Sequence, residues 1–346
     1  MTATSASTTQ DLLGLRGLDA ASLRAILAPA ARLAVDRGAF GRPLRGRTIA
    51  NLFFEDSTRT RVSFTVAARA LGADIVQFGE RGSSTSKGES LIDTARTIEA
   101  MGVDALVVRH ASAGAPGLVA GHVLIPVLNA GDGAHEHPTQ GLLDILTLAE
   151  AHGRLGGGSD GFDLSGLRVV IVGDVLRSRV ARSAIAGMTT LGASVVCAGP
   201  EGMCPAGVAA LGCGVERDLD AVIGDADAVM ALRVQFERGA TLGVALGVAP
   251  GATLGVTPGA TIVADPDHGA GSALGYTRRY GLSVERAARM KPGAIVMHPG
   301  PMNRGLEIES PVADGPRSVV LRQVALGVPV RMAALLRCFN APEGVA

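Results

Sequence analysis

The feature that most constrains the fold of this chain is a repeated local pattern. A short apolar run bounded by charge or glycine is followed by a helical periodicity, and then by another short apolar run. Residues 48–54, 73–78, 105–108 and 123–128 are such runs in the first half, and 167–172, 194–198, 228–232 and 294–297 in the second. They are too short for buried helices, so they read as strands, and the runs at 48–54 and 105–108 read as buried ones. Between them, Val62, Val66, Ala67, Ala70 and Leu71 recur at helical spacing, as do apolar residues in 91–101, 142–151 and 177–193. Strands separated by helices pair in parallel, because a parallel neighbour is reached only by a crossover. The predicted class is α/β, with each of two domains a mainly parallel sheet flanked by helices. At 346 residues the chain exceeds one ordinary core. The glycine-rich stretch 153–161 reads as the linker, so residues 1–150 form the first predicted domain and 151–318 the second. Residues 12–35 read as one or two helices leading into the first strand, and 319–339 as a closing helix despite Pro329.

Open parallel sheets bind ligands beyond the carboxyl ends of their strands. The first run ends at Glu55-Asp56-Ser57-Thr58-Arg59-Thr60-Arg61, a polar and doubly basic cluster where the next helix begins. Ser57 or Thr58 falls at the N-cap, free backbone N–H groups point outward there, and a guanidinium can grip oxygen with two prongs. Phosphate is the natural guest. A capping Ser/Thr beside two solvated arginines reads the same residues equally well, and the cluster alone leaves both open. Arg109-His110, residues 129–140, Arg233 to Arg238 and His298 to Gly305 also follow strand ends, and a polar loop over 79–88 carries Lys87.

Composition excludes several classes of function. Charged residues are 18% of the chain, with 32 basic against 32 acidic, so no basic field draws nucleic acid or acidic lipid. With no Trp and two Tyr there are no stacking platforms for bases either. Cys197, Cys204, Cys213 and Cys338 form no CxxC pair and no finger spacing, which predicts reduced thiols rather than zinc or disulfides. Residues 1–10 lack a basic start and an apolar centre, so no signal peptide is read and a cytoplasmic location is expected. His135 and His137 form an HxH without a third ligand nearby, and Gly173-Asp174 follows a strand without the GxGxxG of a dinucleotide fold. Residues 239–263 hold no charge and repeat Gly-Ala-Thr-Leu-Gly-Val at 239–244 and 251–256; with Pro250 and Pro258 inside, this reads as a surface insertion rather than a membrane span.

Six motifs taken in order, Phe54 to Arg61, Lys87-Gly88-Glu89, Val108-Arg109-His110, His137-Pro138-Thr139-Gln140, Leu232-Arg233-Val234-Gln235 and His298-Pro299-Gly300-Pro301, resemble the aspartate carbamoyltransferase catalytic chain of the aspartate/ornithine carbamoyltransferase superfamily. The match spans nearly the whole chain. The resemblance implies transfer of the carbamoyl group of carbamoyl phosphate to the amino group of L-aspartate in pyrimidine synthesis, without cofactor, metal or covalent nucleophile. It implies that Ser57, Thr58, Arg59 and Thr60 hold the phosphate with Arg109 beside them, and that Arg59 neutralises the leaving group. His137 and Gln140 then face the carbamoyl group, Pro299 and Gly300 offer backbone carbonyls, and Arg179, Arg233 and Gln235 hold aspartate. Lys87, with Ser83, matches a loop supplied by a neighbouring copy, which implies a homotrimer with shared sites. Glu55 and Arg238 resemble partners in ion pairs of a closed form, and 319–346 would complete the first, carbamoyl phosphate-binding domain, leaving 151–318 to bind aspartate. Regulatory or dihydroorotase subunits are left open as partners; nucleic acid and membrane are not expected.

The chain departs from the family pattern at Thr65, where Glu is common, and at Asp56. The larger departure is the insertion over 239–264, which falls after Arg238 where the family's aspartate-closing loop lies. Two rival functions remain at this level: a transcarbamoylase for another amine such as ornithine, and a non-catalytic assembly subunit. Pro299-Gly300-Pro301 stands where the ornithine branch carries Cys-Leu-Pro, and no matched catalytic position is missing.

Overall fold

The structure is a computed structural model and describes residues 10–79, 89–156, 161–234 and 273–341. Two compact units emerge: Met1–Asp163 with Arg182–Thr190 and Val324–Ala346, and Leu164–Ala181 with Leu191–Gln323.

In the first unit, strands β1 (Thr48–Phe53), β2 (Asp74–Gly79), β3 (Ala105–His110) and β4 (Val127–Asp132) form a parallel sheet in the order β2-β1-β3-β4. Helix α1 (Ala20–Val35) precedes them, and α2 (Thr58–Ala70), α3 (Leu91–Ala100) and α4 (Ala115–Ala120) are the crossovers. Ala50, Leu52, Leu106, Val108 and Val127 from the strands pack with Ile98 and Val119 from the helices into one core cluster. Helix α5 (Pro138–Ala151) follows β4 and is buried along most of its length.

Two expectations change here. The strand read at 123–128 starts at Val127 instead. Pro126 has no N–H to give a ladder, and the N–H groups of Leu124 and Ile125 donate to Glu99 Oε1 at 2.6 and 3.2 Å. Asn129 to Asp132, read as loop, therefore belong to the strand. Within 12–35 only Ala20–Val35 is helical, capped by Asp19, whose carboxylate accepts the Ser22 N–H at 2.8 Å. Leu12 lies alongside β4 instead, donating to the Val127 carbonyl at 3.0 Å and accepting from Asn129 at 2.9 Å.

In the second unit, β5 (Arg168–Val172), β6 (Ser194–Ala198), β7 (Gly214–Glu216), β8 (Ala228–Ala231) and β9 (Ile295–Met297) form a parallel sheet in the order β7-β6-β5-β8-β9. Strand β7, three residues at the sheet edge with no buried member, gave no apolar run to read. The helices are α6 (Arg179–Thr190), α7 (Leu219–Val222), α8 (Ala273–Tyr280), α9 (Val284–Arg289), α10 (Ser310–Ala313) and α11 (Val320–Cys338). Residues 182–190 of α6 and 324–338 of α11 belong to the first unit, so the closing helix does join the first domain's core. All four cysteines are buried free thiols, with Cys197 Sγ 3.6 Å from Cys213 Sγ. No described helix is long and apolar enough to cross a membrane, and the 239–264 insertion lies outside the described residues.

Helix α5 approaches residues 182–190 closely at Gly141. A Cβ there would lie 2.7 Å from Leu15 Cδ1 and 2.9 Å from Ser183 Cβ. Gly141→Ala is expected to cost about 1–3 kcal/mol by overpacking, read as a lowered urea midpoint with unchanged slope.

Candidate active site

Strands β1, β3 and β4 run in parallel, so Phe53, His110 and Asp132 end on one edge of the first sheet. Helix α2 opens just beyond β1. Ser57 is its N-cap in extended conformation and makes no side-chain bond to the helix, so its hydroxyl does not consume the first-turn N–H groups. Thr58 and Arg59 are exposed in that turn and Thr60 is buried. The two arginines part company. Arg61 lies over the Phe53 ring at 6.0 Å, whereas Arg59 is exposed in the first turn. At the end of β3, buried Arg109 is clamped from two sides. Its Nη1 donates to the Ala130 carbonyl at 3.1 Å and its Nη2 to Glu55 Oε1 at 2.9 Å. Glu55, which the resemblance assigned to closed-form ion pairs, is thus paired within its own unit.

His137 is the N-cap of α5, and the frame that holds it was not legible in the sequence. Its N–H donates to Ser183 Oγ at 2.9 Å, and Ser183 Oγ donates to Glu136 Oε2 at 2.7 Å. Glu136 also accepts the N–H groups of Leu15 at 2.8 Å and Arg16 at 3.1 Å. Asp132 Oδ1 accepts Asn129 Nδ2 at 2.7 Å and the Glu136 N–H at 3.1 Å, while Oδ2 takes the Gly114 N–H at 2.7 Å. Asn129, Asp132, Glu136 and Ser183 are all buried, so this polar network locks the residue at the head of α5. His135 of the HxH pair is bonded to Asp132 at 2.9 Å, and no group of three potential metal ligands occurs among the described residues. One turn into α5, Gln140 Nε2 donates to Asp144 Oδ1 at 2.9 Å.

In the second unit Arg179 opens α6 beyond β5, Arg233 follows β8, and His298 follows β9. The loop after β9 is built on His298. The Gly300 N–H donates to His298 Nδ1 at 2.8 Å, which makes Nδ1 the acceptor and leaves Nε2–H to face Glu307 Oε1 at 3.2 Å. His298 and Glu307 are both fully buried. Glu307 Oε1 also accepts the Asn303 N–H at 2.6 Å, and Asn303 Nδ2 donates to the Val234 carbonyl at 2.9 Å. Pro299-Gly300 and Arg233-Val234 are thereby tied together. The Gly173-Asp174 exit from β5 has a packing cause: a Cβ on Gly173 would sit 3.1 Å from the hydroxyl of Tyr276. Burial pushes the Asp174 carboxyl up, opposed by Arg177, whose N–H it accepts at 3.2 Å.

The predicted residues thus fall into two groups on strand ends. Ser57, Thr58, Arg59, Thr60, Arg109, His137 and Gln140 lie in the first unit, and Arg179, Arg233, Pro299 and Gly300 in the second. Lys87, Ser83, Gln235 and Arg238 lie outside the described residues.

Comparison with known proteins gives consistent matches. Residues 10–150 match the carbamoyl-P binding domain of the aspartate/ornithine carbamoyltransferase family, and residues 272–338 match its Asp/Orn binding domain. The aspartate carbamoyltransferase catalytic subunit of Myxococcus xanthus is 50% identical over 85% of this chain and 88% of its own length. That of Salinispora tropica is 48% identical over 94% of this chain and 96% of its own. Among solved structures, the aspartate transcarbamoylase of Trypanosoma cruzi in complex with carbamoyl aspartate and phosphate superposes with a TM-score of 0.72 at 29% identity, covering 94% of both chains. The ornithine carbamoyltransferase of Pyrococcus furiosus superposes with a TM-score of 0.74 at 28% identity, over 95% of this chain and 96% of its own.

Proposed function

Since this chain belongs to the aspartate carbamoyltransferase family, we propose that it transfers the carbamoyl group of carbamoyl phosphate to the amino group of L-aspartate, yielding N-carbamoyl-L-aspartate and phosphate in pyrimidine biosynthesis. The observation that carries the residue assignment is the α2 N-terminus after β1, where Ser57, Thr58, exposed Arg59 and Thr60 offer hydroxyls, helix N–H groups and a guanidinium to one anion.

Chemically, the neutral amine of aspartate attacks the carbamoyl carbon and the carbonyl oxygen takes up negative charge. The C–O bond to phosphate then breaks, and the nitrogen gives up a proton to the departing phosphate. Arg109, clamped by Ala130 and Glu55, and His137, locked at the head of α5, supply N–H donors to the oxygens that gain charge. Arg59 meets the charge left on the departing phosphate. Gln140, with the backbone carbonyls of Pro299 and Gly300, takes the nitrogen side of the donor, and Arg179, Arg233 and Gln235 grip the two carboxylates of aspartate. Donors held rigidly before the reaction need no reorganisation during it, which is the source of their effect. Purified protein given both substrates should form N-carbamoyl-L-aspartate; a substrate panel in which L-ornithine is consumed and aspartate is not would overturn the proposal.

The active assembly in this reading is a cytoplasmic homotrimer, with Lys87 entering the site of a neighbouring copy. Mixing Lys87→Ala chains with Arg59→Ala chains should then restore part of the activity that each lacks alone, since some sites combine two unmutated contributions. If mixed assemblies stay as inactive as their parents, Lys87 acts within its own chain or not at all.

A further inference from the structure

Helix α5 carries a carboxylate that the reaction as described does not use. Asp144 is fully buried, one helical turn beyond Gln140, and its Oδ1 receives Gln140 Nε2 at 2.9 Å. The oxygen and nitrogen of a glutamine amide are told apart only by their partners. Here the partner decides, because an ionised carboxylate accepts and never donates. The amide nitrogen must turn toward Asp144, which leaves Gln140 Oε1 as the end available to a ligand.

That assignment holds only while Asp144 keeps its charge in the interior. The counter-charge is Arg331 on α11, 4% exposed, whose positive charge is felt by Asp144 and by Arg109. Arg331 is itself built in: its Nη1 donates to the Gly327 carbonyl at 2.8 Å and its guanidinium lies over the Phe64 ring at 5.3 Å. Gly327 makes the room, since a Cβ there would fall 2.6 Å from Nη1. Burial pulls the Arg331 guanidinium down to about 10, with Asp144 opposing and Arg109 adding to the shift, so it stays a cation at neutral pH.

The geometry points to Asp144 as the positioning residue that makes the site select a carbamoyl over an acetyl donor: by orienting the Gln140 amide it presents an acceptor that a carbamoyl NH2 satisfies and a methyl of the same size does not. This rests on the proposal that Gln140 faces the carbamoyl group. Sites built to hydrogen-bond a substrate N–H reject the analogue lacking it far more strongly than apolar pockets reject a missing methylene.

The test compares three ligands on wild type and Asp144→Asn: KM for carbamoyl phosphate, and competitive inhibition constants for acetyl phosphate and for inorganic phosphate. Asparagine keeps the shape but can also donate, so the Gln140 amide is free to turn. The ratio of the acetyl phosphate constant to the carbamoyl phosphate KM should fall about 10-fold, while the inorganic phosphate constant stays within about twofold. A parallel weakening of all three ligands, as a merely structural role predicts, or an unchanged ratio, overturns the inference. Gln140→Ala separates the two levels of the argument. If it leaves the ratio at the wild-type value, the placement of Gln140 itself fails; if it lowers the ratio and Asp144→Asn does not, only the role of Asp144 fails. Should Asp144→Asn not fold, because Arg331 is left as a lone buried charge, the double variant Asp144→Asn/Arg331→Met removes both charges and carries the same expectations.

Discussion

Arg59→Ala is expected to lower kcat by at least about 10²–10³-fold while leaving the folded state intact, the largest effect on activity of any single substitution considered. Two features support it. Arg59 is exposed in the first turn of α2, outside the core, so its removal leaves the buried apolar packing untouched. In the proposed reaction its charge matters most when the phosphate departs, and interactions made in the transition state appear in kcat rather than KM alone. Arg61→Ala is the internal control. Arg61 lies over the Phe53 ring, so its loss should change the unfolding midpoint slightly and kcat by less than about tenfold. Steady-state kinetics with a urea titration on each variant decide the matter. A folded Arg59→Ala enzyme retaining more than a tenth of wild-type kcat would remove Arg59 from the leaving-group role.

The largest stability effect is expected at Glu136. Its carboxylate accepts from the Leu15 N–H, the Arg16 N–H and Ser183 Oγ, joining the segment before α1, the head of α5 and residues 182–190 of α6. Alanine would strand these donors beside a new void. Each buried unsatisfied group costs about 1–3 kcal/mol, so Glu136→Ala should lose at least about 3 kcal/mol in urea unfolding. Because His137 donates to the same Ser183 oxygen, the surviving folded fraction should also show a reduced kcat. Full stability in Glu136→Ala would mean that water replaces the carboxylate and that the network is not what locks His137.

The path from residues to site was short where the information is local. The apolar runs ending in polar residues placed β1, β3, β5 and β9 within a few residues, and Ser57 at an N-cap needed only the change of period from strand to helix. It failed where a side chain far along the sequence intervenes. Strand β4 begins later than its apolar run because Glu99 captures the N–H groups of Leu124 and Ile125. Leu12 has the spacing of a helical residue yet pairs beside β4, since the segment from Leu15 to Arg16 is tied to Glu136. A charge in a motif does not by itself show its partners: that Glu55 is engaged by Arg109 is visible only in the structure.

The sequence by itself determined the α/β class, the parallel pairing implied by strand–helix alternation, the N-cap at Ser57 and the family. Each of these follows from neighbours in the chain, through side-chain period, N-cap chemistry and motif order. Only the tertiary structure decided which polar groups hold the proposed site residues in place: Glu136 and Ser183 behind His137, Asp144 beside Gln140 with Arg331 as counter-charge, and Glu307 under the His298 loop. These partners are buried, and a buried polar group must be satisfied by whatever the fold brings within hydrogen-bond distance, which separation along the chain does not reveal.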